Sequence, residues 1–132
     1  MTYLELKQEQ TKRVSGILER NKVFFAFSHA QFEQNLKVPD GLIGETCIWK
    51  GLGNGGYLPK QFLDQYTLDM VELDFWFKKE LLECKEEAIN YELSNYECYY
   101  THDLEPVYDL FFDVFTETEI MNIYKQNLCK NQ

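Results

Sequence analysis

The sequence is poor in the residues that build metal and disulfide sites. It contains four cysteines and two histidines among 132 residues. No two of the cysteines are spaced as a CxxC pair, which excludes the spacing of a common structural zinc site. We therefore expect reduced thiols in a cytoplasmic protein, with no bound metal and no cofactor.

Long apolar runs are also missing. The longest strongly apolar segment is VFFAF, at residues 23–27, and it is far too short to cross a bilayer. The charged opening MTYLELKQEQTKR lacks the apolar core of a signal peptide. These absences predict a protein without membrane contact.

A basic surface is the third feature that the sequence lacks. The net charge is −9, and residues 64–105 hold 12 acidic and only 3 basic side chains. Residues 1–63 carry 8 basic and 6 acidic side chains. Direct binding to DNA or RNA requires a basic footprint, so this distribution argues against it. An acidic face attracts basic proteins instead; the alternative is that these charges only keep a helix surface solvated.

Aromatic residues are abundant, and the local signals favour helices. Aromatic side chains make up 16% of the chain, enough for a firm core in a single domain of residues 1–132. Capping-box patterns predict helix starts at Thr2, Ser28 and Thr116. Pro59 is expected in the first turn of a long helix that ends in the mid-eighties. We predict the α+β class, mainly α, with a long central helix, several shorter helices and a small element of two or three strands.

Shorter elements are predicted between these helix starts. The first helix should end near Asn21, and the second should end near Lys37. The segment Pro39-Asp40-Gly41 predicts a turn. The remaining predictions are a buried strand at 23–27, the two strands of a hairpin at 47–50 and 57–58, a helix at 86–96, a loop or short strand at 97–103 and a helix at 104–115.

The long helix carries more aromatic surface than one core face holds easily. Phe75, Trp76 and Phe77 are consecutive, so they point about 100° apart around the helix. Either the helix is central, or one of these rings meets a second copy of the chain in a homodimer. The stripe expected to face the core is Phe62, Tyr66, Met70 or Asp69, Leu73, Phe77 and Leu81, widened by Leu63, Val71, Phe75 and Leu82.

A glycine-rich loop, GLGNGG, lies before the long helix. Gly51, Gly53 and Gly56 match the spacing GxGxxG. A dinucleotide site requires this loop to open a helix directly, but Tyr57-Leu58-Pro59 intervene. Two interpretations remain: a tight hairpin in which glycine supplies positive φ, or a ligand loop formed by these glycines and Gly55.

The segment YELSNYECYYTHDLEP, at residues 91–106, packs four tyrosines, a cysteine, a His-Asp pair and several carboxylates into a short stretch. One interpretation is a catalytic site. Glu92 and Glu97, with Asp103 and Glu105 nearby, would supply paired carboxylates for acid–base chemistry, or Cys98 would be a thiol nucleophile with His102 as its base. The other is a packed aromatic corner with an acidic outer face.

The His102-Asp103 pair also resembles the metal-binding dyad of HD-type phosphohydrolases. That resemblance implies a hydrolytic metal bound by a further histidine and a further aspartate. In this chain His29, together with Asp109 or Asp113, would have to complete the set.

Two segments together resemble a family of small uncharacterised proteins carried by bacteriophages and mobile elements. NKVFFAFSHAQFEQNL is similar to their FFAFSNEQF-type opening, and YELSNYECYYTHDLEP is similar to their YELxNHEyxxTxD-type segment. GLGNGGYLPK has a counterpart between them. His29 stands where Asn is usual and Tyr96 where His is usual, which puts any role of that histidine in doubt here. The resemblance implies a phage or mobile-element accessory gene and assigns no activity.

The charge pattern and this context together lead to a functional expectation. We expect a non-enzymatic acidic protein, a nucleic-acid mimic of the anti-CRISPR kind, that inhibits a basic host partner such as a nuclease or defence effector in the host cytoplasm. One alternative is a small-molecule, nucleotide-binding or hydrolytic domain whose pocket has the glycine loop and residues 91–103 as walls. Another is an oligomeric structural or assembly protein. The predicted binding residues are Glu72, Glu80, Glu83, Glu86, Glu87, Glu92 and Glu97, with Trp76 and Tyr99 as exposed aromatic anchors.

Overall fold

The computed structural model describes residues 1–35, 49–53 and 55–131. Within these ranges the protein is mainly helical, with seven α-helices and one three-stranded antiparallel sheet, which confirms the predicted class. The elements are α1 (Tyr3–Arg20), β1 (Phe24–Phe25), α2 (His29–Asn35), β2 (Trp49–Gly51), β3 (Gly56–Pro59), α3 (Leu63–Glu83), α4 (Lys85–Asn95), α5 (Cys98–Thr101), α6 (Glu105–Leu110) and α7 (Glu117–Asn127), with 3-10 turns at Lys60–Phe62 and Leu128–Asn131.

The chain forms two compact units. The first, here named the sheet unit, is residues 9–75 and contains the sheet, α2, most of α1 and the first half of α3. The second, the helical unit, is residues 1–8 with 76–132 and contains α4 to α7. No helix in the described ranges combines the length and the apolar character that crossing a bilayer requires.

Two of the three predicted capping boxes form as expected. At α1, Thr2 Oγ1 accepts the Glu5 N–H and Glu5 Oε1 accepts the Thr2 N–H, each at 3.1 Å. At α7, Thr116 and Glu119 make the same reciprocal pair. These bonds satisfy donors that a helix start leaves without an intrahelical partner, so both helices begin where the sequence predicts.

The third capping box differs in one bond. Ser28 Oγ accepts the Gln31 N–H at 3.2 Å, but Gln31 Oε1 accepts the N–H of Phe27, at 2.7 Å. The predicted strand at 23–27 is also shorter than expected, because only Phe24–Phe25 pair in the sheet, and it is only partly buried. Phe25 is 45% exposed and Phe27 is 77% exposed. The predicted end of this helix near Lys37 lies outside the described residues.

The glycine loop connects two paired strands, as predicted. In the sheet order β1-β3-β2, Gly51 lies opposite Tyr57, and Phe24 pairs with Tyr57 on the other side. The predicted first strand residues Cys47 and Ile48, and the predicted turn at Pro39-Asp40-Gly41, lie outside the described residues.

The placement of Pro59 was predicted wrongly. Pro59 ends β3 opposite Trp49, with φ −61° and ψ 134°, and a 3-10 turn separates it from α3. The fixed φ of proline suits an extended strand end as well as a helix start, so local sequence does not distinguish the two.

One face of α3 is buried, and it is narrower than predicted. Leu73 and Leu81 are buried, as expected for the core stripe. The prediction is wrong for three of the four residues expected to widen the stripe, since Val71, Phe75 and Leu82 are at least 60% exposed. The consecutive aromatic residues therefore divide between two environments.

Phe75 is the exposed member of the aromatic triplet, at 74%. Trp76 and Phe77 are half-buried and pack against the core of the helical unit. The prediction that Trp76 is an exposed anchor is corrected accordingly, because its ring is partly covered by that core. A homodimer through this region stays a prediction.

The helical unit has a continuous apolar core built mainly from α4 to α7, with Tyr3 and Leu6 of α1 and Leu81 of α3. The predicted helix at 86–96 is confirmed by α4. The predicted helix at 104–115 is interrupted, because α6 ends at Leu110 and turns follow. Phe111 and Phe115 in these turns are each 3% exposed, and their ring centroids lie 5.1 Å apart.

Candidate functional site

The segment predicted as a loop or short strand at 97–103 is instead the one-turn helix α5. Glu97 and His102 flank it, with φ values of 57° and 60°, in the left-handed region that non-glycine residues seldom adopt. Bonds from the Thr101 N–H to the Glu97 carbonyl (2.9 Å) and from the His102 N–H to the Cys98 carbonyl (2.8 Å) close the turn. Such backbone strain persists only where surrounding contacts fix it.

The side chains of α5 supply those contacts. Tyr99 is 7% exposed and stacks on Tyr124, with ring centroids 5.5 Å apart and planes 14° apart. Its hydroxyl donates to Asn90 Oδ1 at 2.8 Å, and His102 Nδ1 lies 2.6 Å from the Tyr124 hydroxyl. Burial raises the pKa of Tyr99 to about 12. Tyr99 is thus a buried packing residue, which corrects its prediction as an exposed anchor.

Cys98 lies in the environment of an inert cysteine. Its side chain is fully buried, and burial, followed by the charge of Asp103, raises the pKa of its thiol. Nucleophilic catalysis requires an accessible thiolate. The geometry therefore gives no support to Cys98 as a nucleophile.

The other proposed catalytic residues are exposed. Asp103 Oδ1 accepts the Glu105 N–H at 3.1 Å, so its carboxylate caps the start of α6. Glu97 lines a surface cavity of about 420 Å³ together with Ser94, Tyr99 and Tyr100. A catalytic role for Glu97, His102 and Asp103 stays a prediction.

The proposed HD-type metal set also lacks support. His29, in the sheet unit, pairs with Glu33 at 3.0 Å, whereas His102 and Asp113 belong to the helical unit. Across the described ranges, no group of three or more His, Cys, Asp or Glu residues is placed to hold a metal ion.

Glu92 is buried, which corrects its prediction as part of a charged surface. It is 3% exposed and accepts from the Tyr3 hydroxyl at 2.7 Å, Lys7 Nζ at 3.4 Å and Asn95 Nδ2 at 3.1 Å. Lys7 Nζ also lies 5.4 Å from the ring centroids of Tyr3 and Tyr91. Burial and the bond to Glu92 raise the pKa of Tyr3. This network joins the first turns of α1 to α4.

Four of the predicted binding carboxylates flank the break between α3 and α4. This group, named the acidic junction, consists of Glu80, Glu83, Glu86 and Glu87. Glu80 is half-buried and the other three are exposed. Burial, and then the charges of Glu87 and Glu80, raise the pKa of the intervening Cys84 thiol. The two remaining predicted carboxylates lie in other places: Glu72 in the sheet unit and Glu97 before α5.

The glycine loop has the backbone that the hairpin interpretation predicted. Gly53 and Gly55 have φ values of +92° and +85°. A Cβ atom on Gly55 would also collide with the ring of Phe27. The positive φ therefore favours glycine at Gly55, and a side chain there would also displace the exposed ring of Phe27.

The same loop lines a cavity of about 570 Å³, named the aromatic pocket. Phe32 and Tyr57 meet edge to face in its wall, with centroids 4.8 Å apart. Residues 91–103, which we predicted as its other wall, belong to the helical unit, and a pocket shared with them stays a prediction. The lining is Ala26, Phe27, Ser28, His29, Phe32, Gly55 and Tyr57.

Asp69, which we predicted only as an alternative to Met70 in the core stripe, is a buried carboxylate in a polar network of the sheet unit. Asp69 is 6% exposed; its Oδ2 accepts from Arg20 Nε at 3.1 Å and Asn21 Nδ2 at 2.9 Å, and its Oδ1 accepts from Gln65 Nε2 at 2.7 Å. The bonds from Arg20 and Asn21 lower the pKa of Asp69. The available signal was the spacing of the core stripe, in which Asp69 and Met70 were equivalent choices.

The comparisons with known proteins give a family without an activity. A model of DUF7659, described as a family of unknown function, matches residues 2–130. No curated protein and no solved structure matches the chain.

Proposed function

The chain belongs to DUF7659, a family of unknown function, and we propose that it is a non-enzymatic protein that binds a basic protein through the acidic junction. In this proposal it is an accessory factor of a phage or mobile element. It acts in the host cytoplasm and inhibits a host defence or nucleic-acid-handling protein. The support comes from the electrostatics of the junction.

The observation that carries the proposal is the charge at the end of α3. The carboxyl end of a helix is its negative pole, where acidic side chains cost stability and basic side chains add it. The last turn of α3 contains no basic residue, and Glu80 and Glu83 lie there. Glu86 and Glu87 lie in the first turn of α4, where the helix dipole favours acids, so only Glu80 and Glu83 are placed unfavourably. That placement is understandable if these two charges act on a partner.

The neighbouring cations do not cancel this charge locally. Lys78 pairs with Asp113, and Lys85 Nζ pairs with Glu119 Oε2 at 2.9 Å. Both lysines are thus engaged with carboxylates outside the junction, and the exposed Lys79 is the remaining cation of this helix end. The junction keeps a net negative charge that attracts a basic surface.

Charge reversal tests the proposal. The triple variant Glu80→Lys, Glu83→Lys, Glu86→Lys should weaken binding to a basic partner at least tenfold, which corresponds to about 1.4 kcal/mol. Glu87 is left unchanged because its Oε1 accepts the Tyr3 N–H at 3.0 Å. Partners are first captured from host lysate at low salt, and the dissociation constant of the purified partner is then measured.

The matched control reverses three other exposed acids of the helical unit, Glu105, Asp109 and Glu117, and changes the net charge equally. We expect it to retain most of the affinity, because a local contact and not the total charge is responsible. Equal affinities for the wild type and the junction variant, or equal losses in both variants, would contradict the proposal.

A second candidate function is the binding of a planar small molecule in the aromatic pocket. The observation that favours it is a concave wall of aromatic rings with polar groups at Ser28 and His29, a composition common in ligand sites. A planar ring would stack on Phe27, which is 77% exposed.

Adenosine and indole serve as probes of this pocket. We expect saturation-transfer NMR signals with the wild type that disappear in Phe27→Ala, because that ring supplies the stacking surface. Phe112→Ala is the control, since Phe112 is 80% exposed and belongs to the helical unit. Absence of signal with both probes, or signals that survive Phe27→Ala, would exclude this binding mode.

A further inference from the structure

A polar cleft lies between α1 and α3 in the sheet unit. Its volume is about 290 Å³, close to the lower end of small-molecule sites. Ile17 and Leu73, both buried, supply its apolar lining. Its charged and polar lining consists of Arg13, Gly16, Arg20, Asp69 and Glu72.

Gly16 is unusual because nothing inside the protein requires it. It lies well within α1, where glycine is among the least favourable residues. A Cβ atom at this position would meet no atom within 4 Å, so internal packing does not exclude a side chain. The absence of a side chain leaves this part of the α1 backbone open to the close approach of a bound group.

Arg13 and Arg20 lie on either side of Gly16 along α1, and both line the cleft. The spacing of residues 13, 16, 17 and 20 places them on one face of the helix. Arg13 forms an exposed pair with Glu9 at 3.1 Å, of the kind that contributes little and exchanges readily. An anion in the cleft would compete with Glu9 for the guanidinium of Arg13.

Arg20 is held in position by the buried Asp69. The bond uses Nε, so the terminal amino groups of the guanidinium, which carry most of its N–H donors, are not the atoms in that bond. Asp69 is itself fixed by Asn21 and Gln65. A guanidinium fixed at one side and 60% exposed is pre-organised for bidentate binding of an oxyanion.

We propose that this cleft binds the phosphate group of a small phosphate monoester, seated over Gly16 between Arg13 and Arg20. Asp69 and Glu72 balance the two guanidinium charges within the cleft, so the selectivity comes from geometry. The three terminal oxygens of a phosphate monoester can accept from both guanidinium groups at once, whereas a carboxylate offers only two oxygens. The carboxylate of Glu72, on the other wall of the cleft, repels a bound anion and lowers its affinity. Removing the charge of Glu72 should therefore tighten phosphate binding.

NMR titration of the full chain tests the site with three probes: inorganic phosphate, glycerol 3-phosphate and acetate. We expect both phosphates to shift the Gly16 amide and the Arg20 Nε signals saturably, and acetate to act at least tenfold more weakly. If only glycerol 3-phosphate binds, the ester is recognised beyond its phosphate; if both bind equally, the phosphate alone is recognised.

Gly16→Leu separates binding from stability. Leucine favours the helix more than glycine, so the variant should unfold at a higher temperature. Because the new side chain fills the cleft, phosphate binding should be lost. Ser15→Ala is the matched control at the preceding exposed position of α1 and should retain binding. Glu72→Gln should tighten phosphate binding severalfold.

Three results would overturn the proposal. One is the absence of a saturable shift at Gly16 with either phosphate. Another is equal affinity for acetate and phosphate, which would mean that the cleft does not distinguish a phosphate from a carboxylate. The third is unchanged phosphate binding in Gly16→Leu, since a group seated over Gly16 cannot coexist with a leucine there.

Discussion

Replacing Glu92 with alanine is expected to lower the free energy of unfolding by about 3 kcal/mol, the scale for removing one partner of a buried charged network. The carboxylate is 3% exposed and accepts from Tyr3, Lys7 and Asn95. Its loss leaves the Tyr3 hydroxyl without its acceptor in a buried position, which adds a desolvation penalty. Lys7 is 41% exposed and can be rehydrated, so the lower end of the range applies.

Urea unfolding of the wild type and Glu92→Ala measures this effect. Glu86→Ala is the control, because Glu86 is an exposed carboxylate of the same helix and should change stability by no more than about 0.5 kcal/mol. Tyr3→Phe should lie between them, at about 1.5 kcal/mol, since it removes one hydrogen bond to a charged group. If Glu92→Ala and Glu86→Ala were equally stable, the buried network would not stabilise the helical unit.

Asp69→Ala should destabilise the protein by about 2 kcal/mol, because Asn21, which is 1% exposed, loses one of the two acceptors of its amide group and keeps only the Ile17 carbonyl. Asn21 Oδ1 has no hydrogen-bond partner among the described residues, so this side chain is held by the bonds that it donates. Gln65 and Arg20 lose the same acceptor but are exposed to water, which reduces their contribution.

The charge of Asp69 also makes stability depend on pH. Its bonds with Arg20 and Asn21 lower its pKa in the folded protein. The stabilisation is therefore complete above the pKa of an unfolded aspartate, about 3.9, and is lost as the pH falls through the lower folded value. Asp69→Asn should lose less stability than the wild type on acidification below about pH 4.

The test compares the urea unfolding midpoints of the wild type and Asp69→Asn between neutral pH and about pH 3, since an unfolded aspartate titrates within that range. Lys78 lowers the pKa of Asp113, and the Thr116 N–H lowers the pKa of Glu119, so the wild type loses stability from these groups as well. Only the difference between the wild type and Asp69→Asn reports Asp69. Asp64→Asn, an exposed acid of the same helix, is the control, and identical acid profiles for the two variants would refute the assignment.

Features that depend on neighbouring residues were predictable from the sequence. The capping boxes at Thr2 and Thr116 are hydrogen-bond exchanges within four residues, and both form. The glycine hairpin follows from the positive φ that Gly53 and Gly55 adopt. The turn at 97–103 was missed because Glu97 and His102 adopt positive φ without being glycine, and local propensity gives no signal for that.

Burial of polar groups could not be predicted in the same way. Glu92 resembles every other acidic residue of its segment, and glutamate is seldom buried. Its partners Tyr3 and Lys7 lie 89 and 85 residues away in the sequence, so no local pattern indicates that they contact Glu92. Tyr99 was likewise indistinguishable from the exposed Tyr100 until packing placed it on Tyr124.

The sequence by itself therefore determined the mainly helical class, the helix starts after Thr2, Ser28 and Thr116, the hairpin and the concentration of acidic residues between 64 and 105. These properties depend on composition and on bonds between residues a few positions apart. Only the tertiary structure decided which carboxylates are surface and which are core, that Phe75 is exposed while Tyr99 is buried, and that Arg13, Gly16 and Arg20 line a cleft with α3. Those outcomes depend on which distant segments pack together, because burial is a property of the contacts around a side chain and not of its type.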